Sequence, residues 1–157
     1  MFQLWKARRG RRIALAILRP LVEGTEARLG RIPSAAWHDA YIVGFLSMLA
    51  SLEARAALGG SIGSLALGLI QCETIADLSG EAPGIHGEEI MNLSTEGDRR
   101  FLEGCSQAAI FHVARQRSRL GSTAVPGDTW ESCGCHLQDD LLQLWRDVFE
   151  ERVAALL

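Results

Sequence analysis

The sequence lacks any stretch in which apolar and polar residues alternate over the length of a β-strand. Its apolar residues recur instead at the three- and four-residue spacings of α-helices. With 48% hydrophobic and 22% charged residues, the 157-residue chain also lies outside the composition range of disordered proteins. These features predict an all-α fold, a single-domain bundle of four to five helices.

Long uninterrupted apolar runs are also absent. Only two charged residues, Glu53 and Arg55, occur between Tyr41 and Ile70, but a glycine pair divides this stretch into two shorter segments. Neither segment reaches the roughly 17 to 25 apolar residues that a membrane span requires. We therefore predict that helices over about 35–58 and 61–79 form a central apolar hairpin of the bundle, which is assigned to residues 13–157.

A secretory signal is not expected, because the apolar run after the basic N-terminus covers only Ile13–Leu18. A signal sequence has about 7 to 15 apolar residues at this place. The chain has four cysteines, and in the absence of a signal we expect them to be free thiols in a cytoplasmic protein. Arginine supplies 15 of the 16 basic residues, a bias that indicates a GC-rich bacterial genome.

The patterns of common catalytic sites are missing too. The letters "GGSIG" around Ser61 match a nucleophile elbow, but that elbow follows a strand, and a predicted helix precedes this serine. None of the four histidines has a glutamate three residues earlier, as carboxylate di-metal bundles require. We therefore predict a non-enzymatic protein without a cofactor.

Cysteine and histidine residues offer one alternative, a metal site. The stretch "TWESCGCHLQDD" contains Cys133 and His136, which share a face if the segment is helical. Cys105 and His112, seven residues apart, share a face of another predicted helix. Structural zinc sites usually show two regularly spaced ligand pairs, and this sequence has one irregular pair. A zinc or iron site formed by these four residues is thus the alternative to buried thiols.

The N-terminus is strongly basic. Residues 1–31 contain eight basic and two acidic residues, a net charge of +6. Because the overall net charge is −3, the remaining residues must carry a net charge of −9. Residues 1–12 are expected to be a basic arm or the first turns of a helix that binds an anionic partner. The second alternative function is accordingly docking at the inner membrane surface. Nucleic acid is not expected as a partner, because the acidic remainder of the chain would repel its phosphate backbone. The residues assigned to anionic binding are Trp5, Lys6, Arg8, Arg9, Arg11 and Arg12.

Small residues repeat at a spacing of four along the third predicted helix. Such a stripe lets a neighbouring helix approach closely, either inside the bundle or across a dimer interface. We therefore predict a homodimer, and as the main function an interaction module that associates with itself or with a protein partner not identified by the sequence. The stripe consists of Gly60, Ser64, Gly68, Cys72 and Ala76.

Residues 80–94 are rich in glycine and proline and are predicted to be the one long connection of the fold. Connections of more than about 12 residues tend to be functional, so this segment is a place where a site is expected. A fourth helix is predicted over about 95–119 and a last one from about 128 to the end.

Overall fold

The computed structural model describes residues 2–59, 62–121 and 130–157, with side chains described for 3–59, 62–120 and 138–157. All regular secondary structure in these ranges is helical, which confirms the predicted all-α class. The six main helices are α1 (Phe2–Leu29), α2 (Ala40–Leu58), α3 (Ser64–Ser79), α4 (Pro83–Glu96), α5 (Arg99–Gly121) and α6 (Trp130–Trp145). A 3-10 turn, Ser34–His38, precedes α2, and α6 continues through a π-helical turn, Arg146–Glu150, into α7, Glu151–Ala154.

Helix α2 is the centre of the bundle. It is buried on nearly all sides and packs most extensively against α5, with α1 and α3 as its other main neighbours. By length and composition α2 is the one described helix that could cross a membrane, yet 67% of its most apolar window is buried within the protein. The predicted pairing of α2 with α3 is present, but α5 covers more of α2 than α3 does.

The backbones of α2 and α5 touch where they cross. A Cβ atom added to Gly44 would overlap the carbonyl oxygen of Phe101, and one added to Gly104 would overlap that of Tyr41. Glycine has no side chain, so each helix can lie directly on the backbone of the other. This close approach requires glycine at both positions.

An aromatic cluster closes the core beside this crossing. Phe45 of α2 lies 5.7 Å from Trp145 and 5.9 Å from Phe149, measured between ring centroids. The Trp145 indole N–H donates to the Thr25 hydroxyl at 2.9 Å, and the Tyr41 hydroxyl donates to a backbone carbonyl of the π-helical turn at 2.7 Å. The C-terminal segment is therefore fixed to both α1 and α2.

The predicted long connection over residues 80–94 is wrong, because most of it forms α4. Gly80, with a φ of 80°, ends α3, and Pro83 occupies the first turn of α4 three residues later. Proline is favoured at this position because its fixed φ suits a helix and its missing N–H would have no partner there. Gly97, with a φ of 67°, ends the helix. His86 is the residue of α4 that is fully buried.

We predict that Gly104→Ala destabilises the protein by about 3 kcal/mol or more, because the added methyl group would force α5 away from α2. Gly68→Ala is the matched control, since Gly68 also lies within a helix but has no atom within 4 Å of an added Cβ. This control should be neutral or stabilising by up to about 1 kcal/mol through helix propensity. Urea denaturation of the two variants provides the comparison, and equal stabilities would contradict the close crossing.

A candidate metal centre beside helix four

Two histidines and a glutamate converge at one end of the bundle from three different segments. His38 is the last residue of the 3-10 turn, Glu81 lies in the short connection between α3 and α4, and His86 lies in the first turns of α4. One potential ligand atom from each of the three lies within 4.8 Å of those of the other two. Among the described side chains this is the one group of three or more such residues that could hold a metal ion.

Glu81 bridges the two imidazoles. Its Oε2 atom lies 3.2 Å from the Nε2 atom of His38 and 3.2 Å from the Nε2 atom of His86. The imidazole rings are stacked, with centroids 5.8 Å apart and planes inclined by 19°. The Nε2 edges of both rings therefore face the same carboxylate oxygen, and the three atoms form a compact triangle.

A second carboxylate, Glu89, lies on the opposite edges of the rings. Its Oε2 atom is 3.1 Å from the Nδ1 atom of His38 and 3.8 Å from the Nδ1 atom of His86. Histidines that ligate a metal commonly donate their other ring N–H to a carboxylate, which fixes the tautomer and the ring orientation. Glu89 is placed to do this for His38 and lies close to the same edge of His86.

The segments around the cluster are held by capping interactions. Asp39, next to His38, accepts hydrogen bonds from the backbone N–H groups of Tyr41 and Ile42 at 3.1 and 3.3 Å and so caps α2. Its other oxygen pairs with Arg100 of α5 at 2.7 Å. Because Asp39 is fixed to both α2 and α5, the position of the adjacent His38 is fixed as well.

Ser79 orders the other side of the cluster. Its hydroxyl oxygen accepts a hydrogen bond from the backbone N–H of Glu81 at 3.2 Å and lies 3.0 Å from the Nε2 atom of His86. The connection that carries Glu81 is thus tied to the end of α3. Ser79 stabilises the backbone on which this carboxylate is mounted.

Two atoms of the cluster are buried without a hydrogen bond. They are the Nδ1 atom of His86 and the Oε2 atom of Glu81, which lies near both imidazoles but has no hydrogen bond of good geometry. A buried polar atom without a partner costs about 1 to 3 kcal/mol, so such atoms are rare unless something else satisfies them. The unsatisfied Glu81 oxygen is one corner of the triangle and borders the space in which a cation would lie.

The two histidines have opposite pKa shifts. Burial lowers the pKa of the fully enclosed His86, although the nearby Glu81 and Glu89 oppose this effect. The His38 side chain is 41% exposed; burial opposes its charged form, but hydrogen bonds to Glu89 and Glu81 outweigh burial and raise its pKa. His86 is therefore the neutral imidazole at neutral pH, which is the form that binds a metal.

Two of the four metal ligands predicted from the sequence have described side chains, and these two contact different residues of α2. The Cys105 thiol donates to the carbonyl oxygen of Gly44 at 3.5 Å, and burial raises the pKa of this thiol, which favours its neutral form. His112, two turns along α5, contacts a different residue of α2. Cys133 and His136 lie outside the described side chains, so the four-residue site stays a prediction.

His112 and Arg115 surround the buried Glu53 carboxylate. The Nδ1 atom of His112 lies 3.0 Å from one oxygen of Glu53, and Arg115 donates to the other oxygen at 2.6 Å. Glu53 is only 2% exposed, although α2 is otherwise apolar. A buried carboxylate requires such partners, and the group holds α5 against the second half of α2.

The residues predicted to bind an anionic partner lie in the first turns of α1, and one of them faces inward. Arg11 makes two bonds to Asp77, at 2.6 and 2.8 Å, and one to Glu73 at 3.1 Å. Arg8, Arg9 and Arg12 are exposed. Arg11 therefore joins α1 to α3, and the remaining arginines form the outer face.

The small-residue stripe of α3 is divided between two environments. Ser64 and Gly68 are exposed, whereas Ala76 is buried and Cys72 lies under α4, where an added Cβ on Gly87 would be 3.7 Å away. The C-terminal half of the stripe thus packs inside the bundle, where Cys72 contacts α4. Gly60 lies outside the described residues, and the predicted dimer stays a prediction.

Comparison with known proteins adds no functional information. A scan against protein-family models, a search of curated proteins and a search of solved structures each found no match.

We predict that Arg115→Met destabilises the protein by about 3 kcal/mol, because it leaves the buried Glu53 carboxylate without its strongest partner. Replacing both members, in Glu53→Gln with Arg115→Met, should cost less than the single change. Arg119→Met, one turn further along the same helix and exposed, is the control and should cost less than about 0.5 kcal/mol. Thermal and urea unfolding measure the stability of all three variants. If Arg115→Met is as stable as the control, the buried Glu53 carboxylate does not depend on Arg115.

Proposed function

We propose that the protein binds a divalent transition-metal ion through His38, Glu81 and His86. The observation that carries this proposal is the position of the Glu81 Oε2 atom, 3.2 Å from the Nε2 atoms of both histidines. Two ligands bound to a tetrahedral zinc ion at about 2.0 to 2.2 Å lie about 3.3 Å from one another. The two distances to the Glu81 oxygen match this spacing and support an ion held by that oxygen and both imidazoles.

The donor set favours particular metals. Two imidazole nitrogens and one carboxylate oxygen suit Zn²⁺ and the neighbouring first-row ions, whereas Ca²⁺ and Mg²⁺ prefer oxygen alone. Two carboxylates, Glu81 and Glu89, border a site whose inner histidine is neutral, so a divalent cation would balance their charge. We take Zn²⁺ as the reference ion.

Three protein ligands would leave one position of a tetrahedral ion open. His38 is partly exposed, so this position would face solvent and hold a water molecule. Structural zinc sites are generally closed by four protein ligands, whereas sites with three ligands and a water are typical of ions that act on a substrate. The arrangement favours an accessible ion over a purely structural one.

Zinc titration by calorimetry tests the proposal. We expect one ion per chain, with affinity reduced at least 100-fold in His38→Ala and Glu81→Gln, since each loses a direct ligand. Glu89→Gln, which loses only the orienting carboxylate, should weaken binding by about 10- to 100-fold. Glu88→Gln removes an exposed acid next to the site on α4 and should bind like the unaltered protein.

Two results would contradict the proposal. One is the absence of binding at micromolar zinc with the protein folded, and the other is equal weakening by Glu88→Gln and Glu81→Gln. In either case the histidines and glutamates would form an ion-pair cluster that only anchors α4.

Zinc affinity should also fall as the pH is lowered, because His38 must lose its proton to bind. The folded-state pKa of His38 is raised above its ordinary 6.5, so binding weakens below that raised value, by about tenfold per pH unit. His86 loses its metal-binding form at a lower pH than His38 does, since its pKa is lowered. Titrations between pH 8 and about 5.5 measure the dependence. An affinity that is constant over this range would exclude His38 as a ligand.

The interaction module predicted from the sequence is a second proposal. In its favour, α5 exposes an apolar concavity of about 380 Å³ within the described part of the chain. It is lined by Ala109, Ile110, Val113, Ala114 and Arg117. If a second copy binds here, analytical ultracentrifugation should find a dimer that Val113→Glu converts to a monomer; a monomeric unaltered protein would contradict self-association.

A further inference from the structure

The outer face of α1 is a cationic row with apolar residues at its start. Four arginines are exposed over the first five turns, and no acidic residue occurs before Glu23. At 1.5 Å per residue, the distance from residue 4 to residue 19 is about 22 Å. The exposed arginines of this row are Arg8, Arg9, Arg12 and Arg19.

These arginines are not neutralised by the rest of the protein. In the described part of the chain, Arg8, Arg12 and Arg19 form no ion pair, and the contact of Arg9 is with the Trp5 ring, 5.2 Å from the ring centroid. Arg11, by contrast, is paired with two carboxylates of α3. The chain thus uses one arginine to hold α1 in place and leaves a row of positive charge outside.

Apolar side chains accompany the charge at one end. Leu4 is 53% exposed and Trp5 51% exposed. The backbone N–H of Gly63 donates to the Gln3 side chain at 3.3 Å, so α3 begins beside the first turn of α1. Leu65, which is 69% exposed, therefore lies at the same end of the molecule.

We infer that this face of α1 docks on the surface of an anionic lipid bilayer. Arginine pairs bidentately with phosphate, and tryptophan and leucine enter the boundary between headgroups and acyl chains. Exposed apolar residues add nothing to the binding of a nucleic-acid phosphate backbone, which attracts the charge alone. The acidic remainder of the chain would orient the cationic row toward the membrane and the rest of the protein away from it.

Vesicle co-sedimentation tests the inference with the whole 157-residue chain. The probes are vesicles of phosphatidylcholine containing one quarter phosphatidylserine and vesicles of phosphatidylcholine alone. We expect the protein to bind the anionic vesicles and not to bind the neutral ones. Each cation near such a surface contributes about a fivefold change in affinity, so a variant with Arg8, Arg12 and Arg19 all replaced by glutamine should bind on the order of 100-fold more weakly.

A matched control removes the same charge elsewhere. Arg99, Arg119 and Arg146 are also exposed and make no ion pair among the described side chains. Their triple replacement by glutamine should leave vesicle binding within about threefold, because charges beyond a Debye length of about 8 Å are screened. Equal losses in the two triple variants would overturn the inference, since net charge rather than this face would then control binding.

The apolar contribution distinguishes a bilayer from other polyanions. Trp5→Ala should weaken binding to anionic vesicles several-fold and leave binding to duplex DNA, measured at the same salt, unchanged. Circular dichroism establishes whether each variant remains folded. We expect that it does, because the substituted residues are exposed. If DNA binds more tightly than the anionic vesicles and Trp5→Ala alters neither, the lipid inference fails and the face is a nucleic-acid surface.

Discussion

The contact between the backbones of α2 and α5 is the constraint on which the rest of the structure depends. Gly44 and Gly104 allow the two helices to touch, and α2 can then be enclosed on nearly all sides. The same crossing brings Arg100 to Asp39, which caps α2 immediately after His38. The position of His38, the outer ligand of the proposed metal site, is therefore a consequence of how the core is packed.

Two carboxylates in the described part of the chain are compensated to different degrees. Glu53 has two nitrogen partners, and both of its oxygens are satisfied. Glu81, at the other end of the bundle, has an oxygen that lies near two imidazoles without a good hydrogen bond. The first group joins two helices, whereas the second has the polarity and spacing to receive a cation. This contrast distinguishes a structural ion pair from a candidate binding site.

The sequence was sufficient for the fold class but not for the site. Helical periodicity and the apolar character of α2 predicted a helical bundle with this helix at its centre. Pro83, Gly84 and Gly87 made α4 look like a loop, although proline in the first turn and Gly97 at the end are compatible with a helix. The spacing of His86 and Glu89 was the one local signal of the site. His38 and Glu81 join them only through tertiary packing, which a search for regular ligand pairs does not detect.

The central claim is that a metal ion occupies the triangle of His38, Glu81 and His86. Anomalous diffraction from crystals grown with Zn²⁺, measured on both sides of the zinc absorption edge, tests it most directly. The account predicts one strong peak per chain within about 2.0 to 2.2 Å of both Nε2 atoms and a Glu81 oxygen. No peak at this position, in crystals with zinc bound elsewhere on the chain, would contradict it.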